Sequence, residues 1–142
     1  MGSESSLWTN LRKKLVGTYS GIDVMRVENM TQDGTPDVNV CHGGREVWIE
    51  LKHVHAFPKR LSTTIGKKEW IRRAQVDWAY ARIQAGGAVF LLVQVEREYF
   101  LFAGELIPAL YVGQVRDWWN QHALGQSNSL NADLLNLLFL YD

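Results

Sequence analysis

The sequence predicts one α/β domain, and three observations carry that prediction. A tight-turn dipeptide, Gly43-Gly44, joins two β-rich segments; a helical stripe follows over residues 67 to 85; and a continuous apolar run, AVFLLVQV, comes directly after that helix. A run without polar alternation is what a central strand covered on both faces requires. The 142 residues suffice for one core, and there is no repeat, low-complexity tract or proline-rich linker to divide them.

The elements follow in order. Residues 5 to 16 read as a helix, with Trp8, Leu11 and Leu15 at helical spacing and Ser5 or Ser6 as the cap. Ile22, Val24 and Val27 predict a strand over roughly 21 to 28, and the turn-rich stretch from Asn29 to Pro36 then interrupts regular structure. Residues 37 to 42 and 45 to 52 form a hairpin, since glycine adopts the left-handed conformations that a two-residue turn demands. In the helix predicted over 67 to 85, Ile71, Ala74, Trp78, Ala81 and Ala85 share one stripe, and Gly86-Gly87 stops it. AVFLLVQV is the central strand and REYFLFAG pairs beside it; short helices are expected near 105 to 111, 114 to 123 and 130 to 139.

Composition excludes several classes. Hydrophobic residues make up 46% and charged residues 21%, so the chain is neither disordered nor membrane-embedded. Cys41 is the only cysteine, which rules out an internal disulfide framework and a cage of several thiolates. The absence of a leader-like apolar run at the start, or of about 18 consecutive apolar residues anywhere, predicts a soluble cytoplasmic protein. Fifteen basic residues balance fifteen acidic ones, so any surface for a polyanion must be local. Lys59, Arg60, Lys67, Lys68, Arg72 and Arg73 form such a cluster, which serves either as a phosphate-binding stretch or as a solvated loop and helix end.

The hairpin carries the chemistry. A two-residue turn sets His42 opposite Arg45 and Cys41 opposite Glu46, and the same register puts Asp37 opposite Glu50. Facing side chains have Cβ atoms about 5 Å apart, so two carboxylates there repel unless a cation lies between them. Alternation adds Lys52 to the face of Glu50, while Val38, Val40, Val47, Ile49 and Leu51 form an apolar face on the other side. Hard oxygen ligands of this kind hold Mg²⁺, with Mn²⁺ as a substitute, and support phosphodiester hydrolysis. Asp37 and Glu50 are the expected ligands, the main-chain carbonyl of Leu51 a further one, and Lys52 the group that orients water and offsets developing charge. A plain surface salt-bridge ladder is the competing account.

With GTPDVNV at 34 to 40 and WIELK at 48 to 52, the chain resembles the PD-(D/E)xK nuclease superfamily. Its nearest likeness there is the virus-type replication and repair nuclease domain (VRR-NUC), with Holliday-junction resolvases more distant. The resemblance spans roughly residues 24 to 95 and includes RVEN at 26 to 29 and Gln75 in the following helix. It implies a restriction-endonuclease-like core over about 21 to 104, a mixed central β-sheet flanked by helices, with extra C-terminal helices over 105 to 142. It also implies Mg²⁺-dependent DNA hydrolysis by homodimers acting on branched DNA, in a bacterial or phage-infected cell. Asp37 and Glu50 resemble the family's metal-binding acids and Lys52 its catalytic lysine. Gln75 matches a glutamine placed beside the site to orient water or phosphate, unless it is simply a polar boundary residue. Many relatives draw a further acid from the first helix; this helix offers only Glu4, and Glu28 in RVEN is the preferred substitute, although it can equally pair with Arg26 or Arg45.

Other residues divide between roles. His42, His53 and His55 lie near Cys41 in sequence, yet alternation separates Cys41 from His42, which disfavours zinc. His55 with Lys59 and Arg60 either touches bound DNA or belongs to a solvated loop. Trp48 either lines the DNA surface or packs beneath the helix that contains Trp78. Trp118, Trp119 and the closing NADLLNLLFLYD serve either a subunit contact or this subunit's own core. The expected function is therefore a structure-selective DNA endonuclease of the Holliday-junction-resolvase kind. The alternatives are a non-catalytic DNA-binding module of the same fold and a site-specific restriction-type endonuclease.

Overall fold

The computed structural model describes residues 2–28 and 32–140. Helix α1 (Glu4–Thr18) leads into β1 (Asp23–Arg26), then the hairpin β2 (Val38–His42) and β3 (Arg45–Val54). Helix α2 (Arg73–Gln84), β4 (Ala88–Val95) and β5 (Glu98–Ala103) follow, then a 3₁₀ turn (Gly104–Leu106), α3 (Ile107–Val112), α4 (Arg116–His122), β6 (Gly125–Ser127) and α5 (Ala132–Leu140). The six strands lie in sequence order in one sheet; β3 and β4 are parallel, and every other pair is antiparallel. This is the mixed sheet with flanking helices that the resemblance implies.

The hairpin register is the expected one, with His42 opposite Arg45, Asn39 opposite Trp48 and Val38 opposite Ile49. Gly43 and Gly44 both have positive φ, 60° and 78°, as a two-residue turn between twisted strands needs. The apolar face of the hairpin, Val38, Val40, Val47, Ile49 and Leu51, is buried against Leu7, Leu11 and Leu15 of α1 and against Leu134, Leu135 and Leu138 of α5. On the other face, Leu91, Val93, Phe100 and Phe102 pack with α2, α3 and α4 around Trp119.

Several boundaries differ from expectation. Ser3 rather than Ser5 or Ser6 caps α1, its Oγ accepting the Ser6 N–H at 3.0 Å. Helix α2 begins at Arg73, not near 67, because Glu69 adopts φ 66° and Arg72 is extended, which breaks the helical path. Its buried side is Gln75 and Ala79, while Ala81 and Ala85 of the predicted stripe are exposed. Strand β6 went unpredicted, since three residues leave no alternation to detect; it extends the sheet beside β5. Part of the turn-rich stretch over 29 to 36, and the last two residues, lie outside the described residues.

The aromatic residues of the C-terminal half serve this subunit's own core. Trp119 is fully buried, stacked on Trp70 at 5.8 Å and edge-on to Phe100 and Phe102. Trp48 meets Trp78 edge-to-face at 5.1 Å beneath α2, and the Arg82 guanidinium covers both rings. His42 packs against Tyr19 and Phe139. No described helix is long and apolar enough to cross a membrane.

Candidate active site

The hairpin is lopsided: β2 has five residues and β3 ten. Pairing with β2 ends at Ile49, and from Glu50 onward β3 pairs with β4 alone. Asp37 sits in the bend at the start of β2, where its main-chain carbonyl accepts the Val27 N–H at 2.7 Å. Its carboxylate Oδ2 then accepts the Leu51 N–H at 2.9 Å. A strand residue presents N–H and C=O to the same side, so the Leu51 carbonyl faces this open edge as well. Asp37, Glu50 and the Leu51 carbonyl thus come together where β2 stops.

Glu50 is the centre of the cluster. Only 5% of it is exposed. Its Oε2 accepts from Gln75 Nε2 at 2.9 Å and lies 3.5 Å from Lys52 Nζ, which is itself buried. Its Oε1 is buried and has no hydrogen-bond partner among the described residues. The crevice it shares with Gly34, Pro36, Gln75, Ala79 and Leu91 measures only about 10 Å³, the lower limit for a single water. Burial, and then the Asp37 charge, push the Glu50 carboxyl up to about 8, against the opposing pull of Lys52. Without a cation this site holds a proton at neutral pH.

Gln75 has both ends of its amide engaged. Oε1 accepts the Arg72 N–H at 3.0 Å at the start of α2, and Nε2 donates to Glu50. Since an N–H must meet the oxygen, the amide orientation is settled, and Gln75 acts as a positioning residue for Glu50. Gln75→Leu is expected to lower metal affinity and any cleavage about 10- to 100-fold with an unchanged far-UV spectrum. A chain titrated with Mn²⁺ should reveal that loss, and native-like affinity in the variant counts against the role.

Gly34 holds the opposite wall. Its φ is +87°, and a Cβ added there would lie 2.1 Å from the Ala74 carbonyl oxygen, so the loop leading to Asp37 rests directly on the first turn of α2. Gly34→Ala combines left-handed strain with main-chain overlap and should cost at least about 2 kcal/mol, measurable as a lower denaturant midpoint.

Glu4, passed over in favour of Glu28, belongs to this electrostatic cluster. Although its side chain is exposed, partial desolvation by its surroundings raises its carboxyl pKa, Lys52 and Arg26 oppose the rise and Asp37 adds to it; the Glu4 charge in turn raises that of Glu50. Glu28 lies exposed beyond β1 and takes part in none of the interactions described at the site. Only the tertiary docking of α1 brings Glu4 here, and its position directly after the Ser3 cap is the one local signal for it.

The basic residues lie at the surface and make none of the hydrogen bonds of Glu50 or Asp37. Lys59, Arg60, Lys67, Lys68, Arg72 and Arg73 are all exposed. Arg72 pairs with Asp33 at 2.6 Å and Arg73 with Asp77 at 3.1 Å, so part of their charge is locally offset.

The donor set suits a hard cation. Among the described residues no three His, Cys, Asp or Glu side chains form a cage of their own. Mg²⁺, however, uses one or two carboxylates and keeps water and phosphate oxygens for the rest. The unpartnered Glu50 Oε1, the neighbouring Asp37 carboxylate and the Leu51 carbonyl match that need.

Among solved structures, the chain is similar to Hjc, a Holliday junction resolvase from the archaeal hyperthermophile Archaeoglobus fulgidus. The match has a TM-score of 0.58 at 16% identity and covers 96% of this chain and 98% of that one. This is a resolvase-type fold. Neither the protein-family models nor the curated proteins match the sequence. The resolvase-type likeness spans the helices after β5 as well as the sheet, so the C-terminal segments are integral to the fold.

Proposed function

We propose that this chain is a Mg²⁺-dependent DNA endonuclease that hydrolyses phosphodiester bonds in branched DNA, Mn²⁺ serving in place of Mg²⁺. The observation that carries the reading is the buried Glu50, one oxygen unpartnered, beside Asp37 and Lys52 at the open edge of β3. The resolvase-type fold supports the choice of branched DNA. Among PD-(D/E)xK nucleases, its motifs are nearest to the virus-type replication and repair domain.

In this reading Asp37, Glu50 and the Leu51 carbonyl hold the cation, with Glu4 the additional acid beside them. The bound ion supplies charge stabilisation for the phosphate and favours ionisation of the attacking water. Lys52 orients that water and offsets negative charge as the phosphorus–oxygen bond to the leaving group breaks. Gln75 keeps Glu50 aligned throughout. Lys59, Arg60, Lys67 and Lys68 bind backbone phosphates, joined by Arg72 and Arg73 where DNA displaces their acidic partners. A two-fold homodimer belongs to the same reading, because symmetric resolution of a branch needs two such sites. The setting is the cytoplasm of a bacterial or phage-infected cell.

Cleavage of labelled four-way junction, flap, duplex and single-stranded DNA tests the reading, alongside sedimentation of the free protein. Mg²⁺-dependent cutting of branched substrates, abolished by EDTA and by Lys52→Ala, is the expected result. Binding without cutting in either Mg²⁺ or Mn²⁺ replaces it with a non-catalytic DNA-binding module, and cleavage confined to one duplex sequence replaces it with a restriction-type enzyme.

A further inference from the structure

Beyond Val54 the chain crosses from β3 to α2 through residues 55 to 72, and part of this loop is tied down at two feet. At the first, the Phe57 N–H donates to the Glu96 carboxylate at 2.9 Å. The Phe57 ring lies edge-on to Phe100, with the Arg116 guanidinium 3.7 Å from its centre. At the second, the Ile65 N–H donates to the Gln114 carbonyl at 3.0 Å, and the Ile65 side chain is buried. Gly66 follows, so near the Trp70 indole that a Cβ there would lie 2.8 Å from it.

Between the feet, residues 59 to 64 are all exposed. The Thr63 N–H donates to the Arg60 carbonyl at 3.1 Å, which closes a turn with Leu61 and Ser62 at its apex. Leu61 is 65% exposed. A single exposed leucine is ordinary on a protein surface. This one is held out by a hydrogen-bonded turn on fixed feet, beside Lys59 and Arg60, neither of which has an acidic partner among the described residues. Residues 57 to 68 include no acid at all. The turn also stands close to the candidate site, since Pro58 and Thr64 share a cavity with Val54. Strand alternation puts Val54 on the face of Glu50 and Lys52, and at about 3.3 Å per residue it lies roughly 7 Å beyond Lys52. An apolar tip between cations matches what nucleic acid offers, phosphates for the cations and the faces of an opened base step for the leucine. Parting a stacked step costs free energy, and the cost is least where stacking is already broken, as at a branch.

We propose that the turn over residues 60–63 is a wedge for branched DNA: Leu61 inserts against the opened base step at the branch, while Lys59 and Arg60 hold the flanking phosphates. Placing the wedge beside a cut rests on the nuclease reading above; the insertion itself does not. The full native chain in EDTA is titrated against a four-way junction with 2-aminopurine at the branch point, and against a duplex with the same label. Native protein should raise the junction fluorescence. Leu61→Ala should lose that rise and bind the junction about tenfold more weakly, with duplex affinity unchanged, and Leu61→Met should keep both native responses. Replacing Lys59 and Arg60 together by Gln should weaken junction and duplex alike and reduce the salt slope of log K by about two. Native fluorescence and affinity in Leu61→Ala, or an equal loss on junction and duplex, overturn the proposal. The titration involves no cleavage, so the two readings fail separately. A chain that opens the branch through Leu61 yet cuts nothing in Mg²⁺ loses the nuclease reading and keeps the wedge. One that cuts junctions while Leu61→Ala behaves as native loses the wedge alone.

Discussion

If the proposed function holds, Glu50→Gln is expected to reduce metal-dependent cleavage by a factor on the order of 10³ or more while DNA binding survives. The amide keeps the shape of the side chain and still offers an oxygen to Gln75 Nε2, so the local geometry is preserved. What disappears is the negative charge beside Asp37 that makes the site attractive to a divalent cation. Single-turnover cleavage of a four-way junction, paired with a gel-shift assay, separates the two effects. Cutting within a few-fold of the native rate sinks the assignment of Glu50 as a ligand. A loss of binding equal to the loss of cutting shows instead that the substitution has damaged the DNA surface.

The same substitution stabilises the metal-free chain at high pH. Glu50 ionises at about 8 in the folded chain and near the ordinary value of 4.5 when unfolded. Below pH 4.5 the carboxyl is protonated in both states and no stability is lost. Between 4.5 and 8 the unfolded chain releases a proton that the folded chain retains, so stability falls as pH rises. Above 8 the whole cost is in place, on the order of 5 kcal/mol at about 1.4 kcal/mol per unit. In EDTA the native Tm should therefore fall from pH 5.5 to 8.5, and the Glu50→Gln variant should fall much less. Lys52 retains Glu4 as a counter-charge in that variant. In the proposed reading Mg²⁺ binds the ionised form, so its addition should release the proton and restore native stability at pH 8.5. A native Tm that is flat across this range in EDTA contradicts the account.

The β2–β3 hairpin was legible because two independent signals agree on it. Gly43-Gly44 sets the turn, and the valines of β2 and β3 set which face is buried; a shift of one residue would have reversed every side chain. That is why the sequence alone groups Asp37, Glu50 and Lys52. The start of α2 was not legible, because Trp70 and Ile71 continue an apolar helical stripe while lying outside the helix. Both are instead drawn into the core by the loop, Trp70 against Trp119. Apolar periodicity also misplaced the buried face of α2, since a polar residue, Gln75, points inward to satisfy Glu50 and the Arg72 N–H. The electrostatic coupling of Glu4 to Asp37 and Lys52 was not legible for a related reason: it depends on how α1 docks, which no local pattern encodes. The six tryptophans were ambiguous because burial and nucleic-acid contact favour the same side chain.

The early end of β2 has a further effect. A strand whose neighbour stops halfway is an invitation for another chain to add itself there, and folded proteins commonly guard such margins with charge. Here the guard is Asp37, whose carboxylate already takes the Leu51 main-chain N–H that a further strand would need. The carboxylate read as a cation ligand thus also closes the margin of the sheet, and Asp37→Ala is expected to self-associate more readily than the native chain.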